Sequence, residues 1–104
     1  MHATVRRYDG VSESRRDEVT KKVNENLIPQ LSKLPGFGGY YLVEAGPGVV
    51  TSISLFDSEA HADESTRLVA TWIKDEQLED AIPNPPKITV GRVLAQKTSG
   101  LTAV

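Results

Sequence analysis

The sequence predicts an α+β domain in which two helices alternate with four strands in the order βαββαβ. Two stretches carry apolar residues every three or four positions, and four short stretches are rich in β-branched and aromatic residues. Turn residues separate them, most clearly at Asp9-Gly10, Gly46-Pro47-Gly48 and Pro83 to Pro86. With right-handed crossovers, this order places both helices on one face of an antiparallel sheet, which is the ferredoxin-like arrangement.

The first strand and the first helix are predicted within the first third of the chain. The strand runs from Ala3 to Tyr8, and the helix begins near Ser12 or Ser14, either of which can cap its free N–H groups. One apolar stripe follows along the helix, formed by Val19, Val23, Leu27, Leu31 and Leu34. Because Pro29 lies inside this pattern and has no N–H, we expect the helix to kink or restart there.

The first helix is predicted to end at Pro35-Gly36, since Gly36 can adopt the left-handed conformation and a proline cannot continue the helix. The second strand then runs from about Phe37 to Ala45 and the third from Val49 to Phe56. The three loop residues between these strands indicate an antiparallel hairpin. Neither alternating face of the third strand is decisively polar, so we expect both faces of the sheet to be covered.

The second helix is predicted to be capped by Asp57 or Ser58 and to fade by Ala81. The prolines that follow force an extended connector into a last strand, Ile88 to Gln96. Two helices cover one sheet face only, and the other would be a large exposed apolar patch in a monomer. We therefore expect a homodimer formed by the helix-free faces, extended by the tail Leu101 to Val104.

Composition narrows the class of protein. The 104 residues fit a single domain spanning residues 1–104, and the net charge of −2 argues against nucleic acid as a partner. No apolar run approaches the roughly 20 residues that span a bilayer, and the N-terminus lacks the apolar stretch of a signal peptide. We therefore expect a cytoplasmic protein without a membrane partner. Cysteine is absent and the two histidines are distant in sequence, so no metal is expected.

Two segments resemble the dimeric α/β-barrel superfamily, especially its antibiotic-biosynthesis-monooxygenase-like group. They are Leu34-Pro35-Gly36-Phe37-Gly38-Gly39-Tyr40-Tyr41 and Val50-Thr51-Ser52-Ile53-Ser54-Leu55-Phe56-Asp57-Ser58-Glu59-Ala60. The pattern is a helix end with Pro-Gly-Phe, a hairpin, and a strand ending in an aromatic residue before a Ser-x-x-Ala helix start. With the strand order, the resemblance covers roughly residues 3 to 97. It implies two protomers packed sheet against sheet, each with a pocket between sheet and helices.

The resemblance implies more than one activity. Some members of the superfamily oxidise polycyclic phenols with no metal or organic cofactor, some degrade haem, and others have no known activity. The haem-degrading members have an Asn on the first strand and a Trp and a His on the second helix. Here the first strand has no Asn, Ser65 falls where that Trp would lie, and no His follows Trp72. We therefore expect no haem and no other cofactor.

Trp72 and His61 are the first candidates for a site on the second helix. Trp72, beside Leu68 on the apolar stripe, is either a core residue or a flat wall for an aromatic ligand. His61 lies in the first turn, where the helix N-terminus favours a neutral imidazole able to accept a proton from a phenol. The alternative for His61 is a partly exposed residue near the helix cap. Eleven residues separate the two, roughly 16 Å along the helix, so they could only bracket a long ligand.

Adjacent residues Tyr40 and Tyr41 should point to opposite faces of the second strand. Both are expected to pack, with a hydrogen bond from one of them to a ligand as the alternative. Arg6, Arg7 and Arg92 are expected at solvated edges. The alternatives are that one of them lines the cavity or pairs with a carboxylate such as Glu44.

Two functions are consistent with these observations. The first is a small-molecule-binding protein resembling cofactor-independent monooxygenases that act on aromatic or enolisable substrates, with His61 as the base and Trp72, Leu68, Tyr40 or Tyr41 against the substrate. The second is a non-catalytic dimer that binds a ligand or serves as a stress-response accessory protein. Whether the protein is an enzyme stays open at the level of the sequence.

Overall fold

The structure, a computed structural model, describes residues 1–97. Strands β1 (His2–Tyr8), β2 (Phe37–Glu44), β3 (Val50–Phe56) and β4 (Lys87–Arg92) form one antiparallel sheet in the order β2-β3-β1-β4. The first helix (residues 13–32) and the second helix (Glu59–Asp75) share one core with a single face of that sheet. The predicted ferredoxin-like order is confirmed. No helix within residues 1–97 has the length and apolar character to cross a membrane.

The first helix changes its hydrogen-bonding pattern along its length. A 3₁₀ turn (Glu13–Arg15) leads into α-helix (Arg16–Lys22), then a π-helical turn (Val23–Leu27) and a final α-helical segment (Ile28–Ser32). The Ile28 N–H donates to the carbonyl of Val23, five residues back, and Pro29 lies in the first turn of the final segment. The wide turn therefore restarts the helix at the proline, as the sequence indicated.

The ends of several elements differ from the prediction. The second helix begins after Ser58, whose Oγ accepts a hydrogen bond from the His61 N–H at 3.3 Å, and it ends at Asp75, well before Ala81. Strand β4 ends at Arg92 instead of Gln96. The reason is that Arg92 already pairs with His2, the first residue of the neighbouring strand β1. The Val93 N–H donates to the Met1 carbonyl at 2.9 Å, and beyond it β1 offers no further backbone partners.

The two faces of the sheet differ sharply in their surroundings. The face beneath the helices carries the buried residues Thr4, Arg6, Tyr8, Ser52, Ser54 and Phe56. The open face carries Val5, Ile53, Leu55, Tyr41 and Val43. Tyr41 is 55% exposed and Val43 is 43% exposed there, so this apolar patch, which Arg7 and Thr51 border, is uncovered in a single protomer. The tail Leu101 to Val104, predicted to extend a dimer interface, lies outside the described residues.

Candidate functional site

A cavity of about 390 Å³ lies between strand β1, the second helix and the proline-rich connector. The second helix contributes Val69 and Ile73 to its wall, the connector contributes Ile82, and strand β4 contributes Ile88. The cavity exists because β4 is an edge strand that neither helix covers, which leaves Ile88 47% exposed. Consecutive prolines keep the connector extended, so it forms a side wall instead of a third helix.

Arg6 is the most unusual residue at this cavity. It is opposite Ile88 in the register of β1 and β4, and only 1% of its surface is exposed. Its Nη1 donates to Ser54 Oγ of strand β3 at 2.9 Å. Its Nη2 donates to Ser65 Oγ at 3.3 Å and to Thr66 Oγ1 at 2.7 Å, both on the second helix. The guanidinium therefore bridges the sheet and the helix through three neutral hydroxyls.

The charge of Arg6 has no counter-charge in the described part of the chain, where no carboxylate lies within 4 Å of it. Burial lowers the pKa of Arg6, and the nearby Tyr8 and Tyr40 oppose that change. Arginine nevertheless stays protonated in proteins. Burial raises the pKa of Tyr8 and raises the pKa of Tyr40 to about 12, so both phenols are neutral at pH 7. The region beneath the second helix is therefore a buried site of net positive charge.

This position of Arg6 corrects the prediction that it lies at a solvated edge. Arg7 and Arg92 are exposed, as expected, and Glu44 pairs with Arg16 at 2.8 Å. The sequence did contain a signal for the burial of Arg6. In strand β3, Ser52 and Ser54 follow each other on the helix-facing side, between Val50 and Phe56, which indicates a polar partner in the core.

His61 lies in a different place from the cavity. Its Nδ1 is 2.6 Å from Asp57 Oδ1, at the junction where Gly36 adopts a φ of +78°. This hydrogen bond lowers the pKa of the Asp57 carboxyl. His61 is not among the residues that line the cavity. The expectation that His61 is the base acting on the substrate gains no support from this cavity, because the side chain is engaged with the loop before the helix.

Trp72 and Leu68 face the first helix instead of the cavity. Trp72 is 5% exposed, and its Nε1 donates to Asn26 Oδ1 at 2.8 Å. Both residues line a groove between the two helices, together with polar side chains such as Gln30 and Arg67. The indole therefore packs in the core with its N–H satisfied by the π-helical turn.

Tyr40 and Tyr41 lie on opposite faces of strand β2, as predicted. Tyr40 points into the core near Arg6, whereas Tyr41 lies on the open face. Of the five residues proposed from the sequence, Trp72 and Tyr40 both line a core void of about 30 Å³, which is too small for a ligand, and Trp72 also lines the groove with Leu68. His61 lies at the loop before the second helix and Tyr41 lies on the open face. The structure does not bring them together around one ligand.

Solved structures with the same architecture include three informative ones. A protein of unknown function from Nitrosomonas europaea, NE2512, has a TM-score of 0.75 at 17% identity, over 95% of this chain and 94% of that one. The ActVA-Orf6 monooxygenase of Streptomyces coelicolor, in complex with nanaomycin D, has a TM-score of 0.69 at 12% identity, over 98% and 92%. A dimeric ferredoxin-like protein from an uncultured marine organism has a TM-score of 0.66 at 15% identity, over 94% and 98%.

The chain has the fold of the antibiotic biosynthesis monooxygenase-like proteins. Two further structures with this fold are named putative antibiotic biosynthesis monooxygenases, and a third is named an antibiotic biosynthesis monooxygenase. No protein-family model matches the sequence, and no curated protein matches it. At this low identity the likeness shows the fold alone, and a fold does not determine chemistry. The function of this chain therefore depends on its own cavity and on Arg6.

Proposed function

We propose that the protein binds an aromatic or enolisable small molecule in the cavity between strand β1 and the second helix, and oxidises it as a monooxygenase without a metal or organic cofactor. The observation that carries the proposal is the cavity itself. Its volume of about 390 Å³ falls in the range of small-molecule sites, and its walls are mainly apolar with a few placed polar groups. The ActVA-Orf6 monooxygenase, which binds nanaomycin D, supports the choice of activity.

The chemistry needs only the substrate and O₂. A phenol with a free para position and one O₂ molecule give a quinone and one water, and the substrate supplies all four electrons. The protein must then exclude bulk water, orient the ring and stabilise the negative oxygen that makes the ring electron-rich. In this chain the apolar side chains of Val69, Ile73 and Ile82 enclose the ring. Arg6 is the buried positive group at the cavity, and it has no counter-charge within 4 Å among residues 1–97.

A non-catalytic ligand-binding protein is the second candidate. The observation that favours it is that both histidines, His2 and His61, belong to the described residues and neither lines the cavity. The ionisable groups that do line it, besides Arg6 and Tyr8, are Lys74 and Glu79. We expect His61→Ala to keep ligand affinity. If that variant bound the ligand as tightly as the wild type but lost turnover, His61 would have a catalytic role.

We also propose that the protein is a homodimer through the open sheet face. The apolar face described above would otherwise be exposed, and one protein of the same fold is named as dimeric. The cytoplasmic location and the lack of nucleic-acid, membrane, metal and cofactor partners stay predictions from the composition and the resemblance.

The test combines oxygen uptake with a cavity-filling variant. Ala70 lines the cavity, whereas Ala60 lies on the same helix, is exposed and does not line it. We expect the wild type to consume one O₂ per molecule of 1-naphthol or anthrone oxidised. Ala70→Phe should abolish binding and uptake, and Ala60→Phe should change neither. Binding without oxygen uptake would favour the non-catalytic protein. If none of these probes bound, or if Ala70→Phe changed nothing, the proposed site would be wrong.

A further inference from the structure

We propose that this cavity selects molecules that carry a negatively charged oxygen on an apolar body, and that Arg6 is the residue that holds that oxygen. The proposal deepens the proposed function and rests on it for the location of the ligand. The shared chemistry is an oxyanion, which a carboxylate offers directly and which a phenol or enol offers once it is ionised.

The positive charge of Arg6 is unpaired within residues 1–97. A buried ion is costly unless it is both paired and hydrogen-bonded, because leaving water costs several kcal/mol even after the protein relaxes. Arg6 is 99% buried with hydrogen bonds to hydroxyls alone, and within residues 1–97 it lacks an anionic partner at ion-pair distance. An anionic ligand in the adjoining cavity would supply the missing charge in a medium where charges attract strongly.

The second argument is the unused hydrogen-bonding capacity of Arg6. A guanidinium has five N–H donors, and the three hydrogen bonds above leave two of them, including that of Nε. Within the described residues, Arg6 Nε and the neighbouring Thr4 Oγ1 are both buried without a hydrogen-bond partner. Buried polar groups of proteins rarely lack partners, so each such group needs an explanation. Arg6 lines the cavity, so a ligand oxygen that reached its guanidinium would satisfy a donor that residues 1–97 leave free.

The third argument is that the guanidinium is held in place before a ligand arrives. The hydroxyls of Ser65 and Thr66 both donate to the Ala62 carbonyl, at 2.6 and 3.3 Å, so their lone pairs are left to accept from Arg6. Ser54 holds Arg6 from the sheet side. A donor that is fixed from both sides binds a charged oxygen without reorganising, which is the requirement for a selective site.

The remaining groups of the cavity sharpen the choice of ligand. Lys74 and Glu79 both line it and are exposed, and their opposite charges leave Arg6 as the source of net charge. The apolar wall requires a hydrophobic body on the ligand. The charge balance of the lining therefore favours an anion on a hydrophobic body over a neutral molecule of the same shape.

The experiment is calorimetric titration with three probes of one shape: 2-naphthoate, 2-naphthol and the neutral 2-naphthamide. We expect the wild type to bind 2-naphthoate at least about tenfold more tightly than 2-naphthamide, a difference of about 1.4 kcal/mol. Arg6→Met should reduce this preference to about twofold or less. The matched control is Arg7→Met, which alters the adjacent, exposed arginine on the same strand and should keep the preference.

The titration with 2-naphthol shows whether the site takes an ionised phenol as well as a carboxylate. A carboxylate is already ionised at pH 7, whereas a naphthol must lose a proton to become an anion. If the site takes phenolates, the heat of 2-naphthol binding will vary with the ionisation enthalpy of the buffer, because a proton is released. If it takes carboxylates alone, 2-naphthol will bind no better than 2-naphthamide.

The outcomes distinguish this inference from the proposed function. If the probes bind and Ala70→Phe blocks them, but charge makes no difference or Arg6→Met keeps the preference, Arg6 is not the anion receptor and the cavity still stands. If no probe binds, both proposals are wrong.

Should Arg6→Met fail to fold, the Arg6 Nε–H resonance of the wild type gives the answer by NMR. We expect 2-naphthoate to shift it while leaving that of Arg7 in place, and an unshifted Arg6 signal at saturation would overturn the inference.

Discussion

Replacing Arg6 by methionine should leave the free energy of unfolding within about 1 kcal/mol of the wild-type value, or raise it. This is an unusual expectation for a residue that is only 1% exposed. It follows from the absence of a counter-charge for Arg6 among residues 1–97. If it holds, the contribution of Arg6 to folding is negligible, and its presence in the core must be explained by a ligand.

The magnitude follows from two opposing effects. Taking the guanidinium out of water costs several kcal/mol. Its three hydrogen bonds to Ser54, Ser65 and Thr66 return about 1.5 kcal/mol each, roughly 4–5 kcal/mol together, at the low end for bonds to charged groups because these acceptors are neutral. The two effects nearly cancel. Methionine keeps the apolar stem and removes both effects. Ser65 and Thr66 keep their hydrogen bonds to the Ala62 carbonyl, whereas the buried Ser54 loses its partner at a cost of about 1 kcal/mol, so the net change should stay near that value.

The assay is urea unfolding followed by circular dichroism, at one protomer concentration for all proteins because a dimer would make stability concentration-dependent. Leu31→Ala is the control, since Leu31 has no exposed surface and belongs to the core cluster. That variant should lose about 2–5 kcal/mol. If Arg6→Met also lost more than about 2 kcal/mol, the hydroxyl network itself would be the reason for Arg6, and the argument from its unpaired charge would fail.

Three further predictions test the rest of the structure. Trp72→Phe should lose about 1–3 kcal/mol of stability, because the smaller ring leaves a void in the core and removes the hydrogen bond to Asn26, while 2-naphthoate affinity stays unchanged. A tenfold loss of affinity for 2-naphthoate would show that Trp72 contacts the ligand. The pKa of Tyr40 is about 12 in the folded protein against about 10 when unfolded, so the unfolded state ionises first and stability should fall by about 2–3 kcal/mol between pH 10 and 12. Tyr40→Phe should make that fall shallower in unfolding curves, and an unchanged slope would contradict the buried phenol. Ile53→Glu on the open face should convert a sedimenting dimer to monomers, and an unaffected dimer would exclude that face as the interface.

Much of the fold could be predicted because local patterns determine it. The stripe along the first helix, Gly36 at its end and the Gly46-Pro47-Gly48 turn within the five-residue loop of the hairpin each act over a few residues. The end of strand β4 could not be predicted in the same way. Residues up to Gln96 have strand-like composition, but the strand stops where β1 runs out of partners, which is a property of the sheet.

The site was less predictable because it depends on which of two adjacent residues is buried. Arg6 and Arg7 are chemically identical and point to opposite faces of β1, and only the register, which places Arg6 opposite Ser52 and Ile88, distinguishes them. His61 and Trp72 stood out in the sequence as single functional-looking residues on the second helix. The structure satisfies them with Asp57 and with a hydrogen bond to the first helix.

The most direct test of the central claim is a crystal structure of the protein soaked with 2-naphthoate. We predict the naphthalene ring between Val69 and Ile82, with a carboxylate oxygen within hydrogen-bonding distance of the Arg6 guanidinium. Binding in the groove beside Trp72, or on the open sheet face, with the cavity at Arg6 left empty at saturating ligand, would contradict the account.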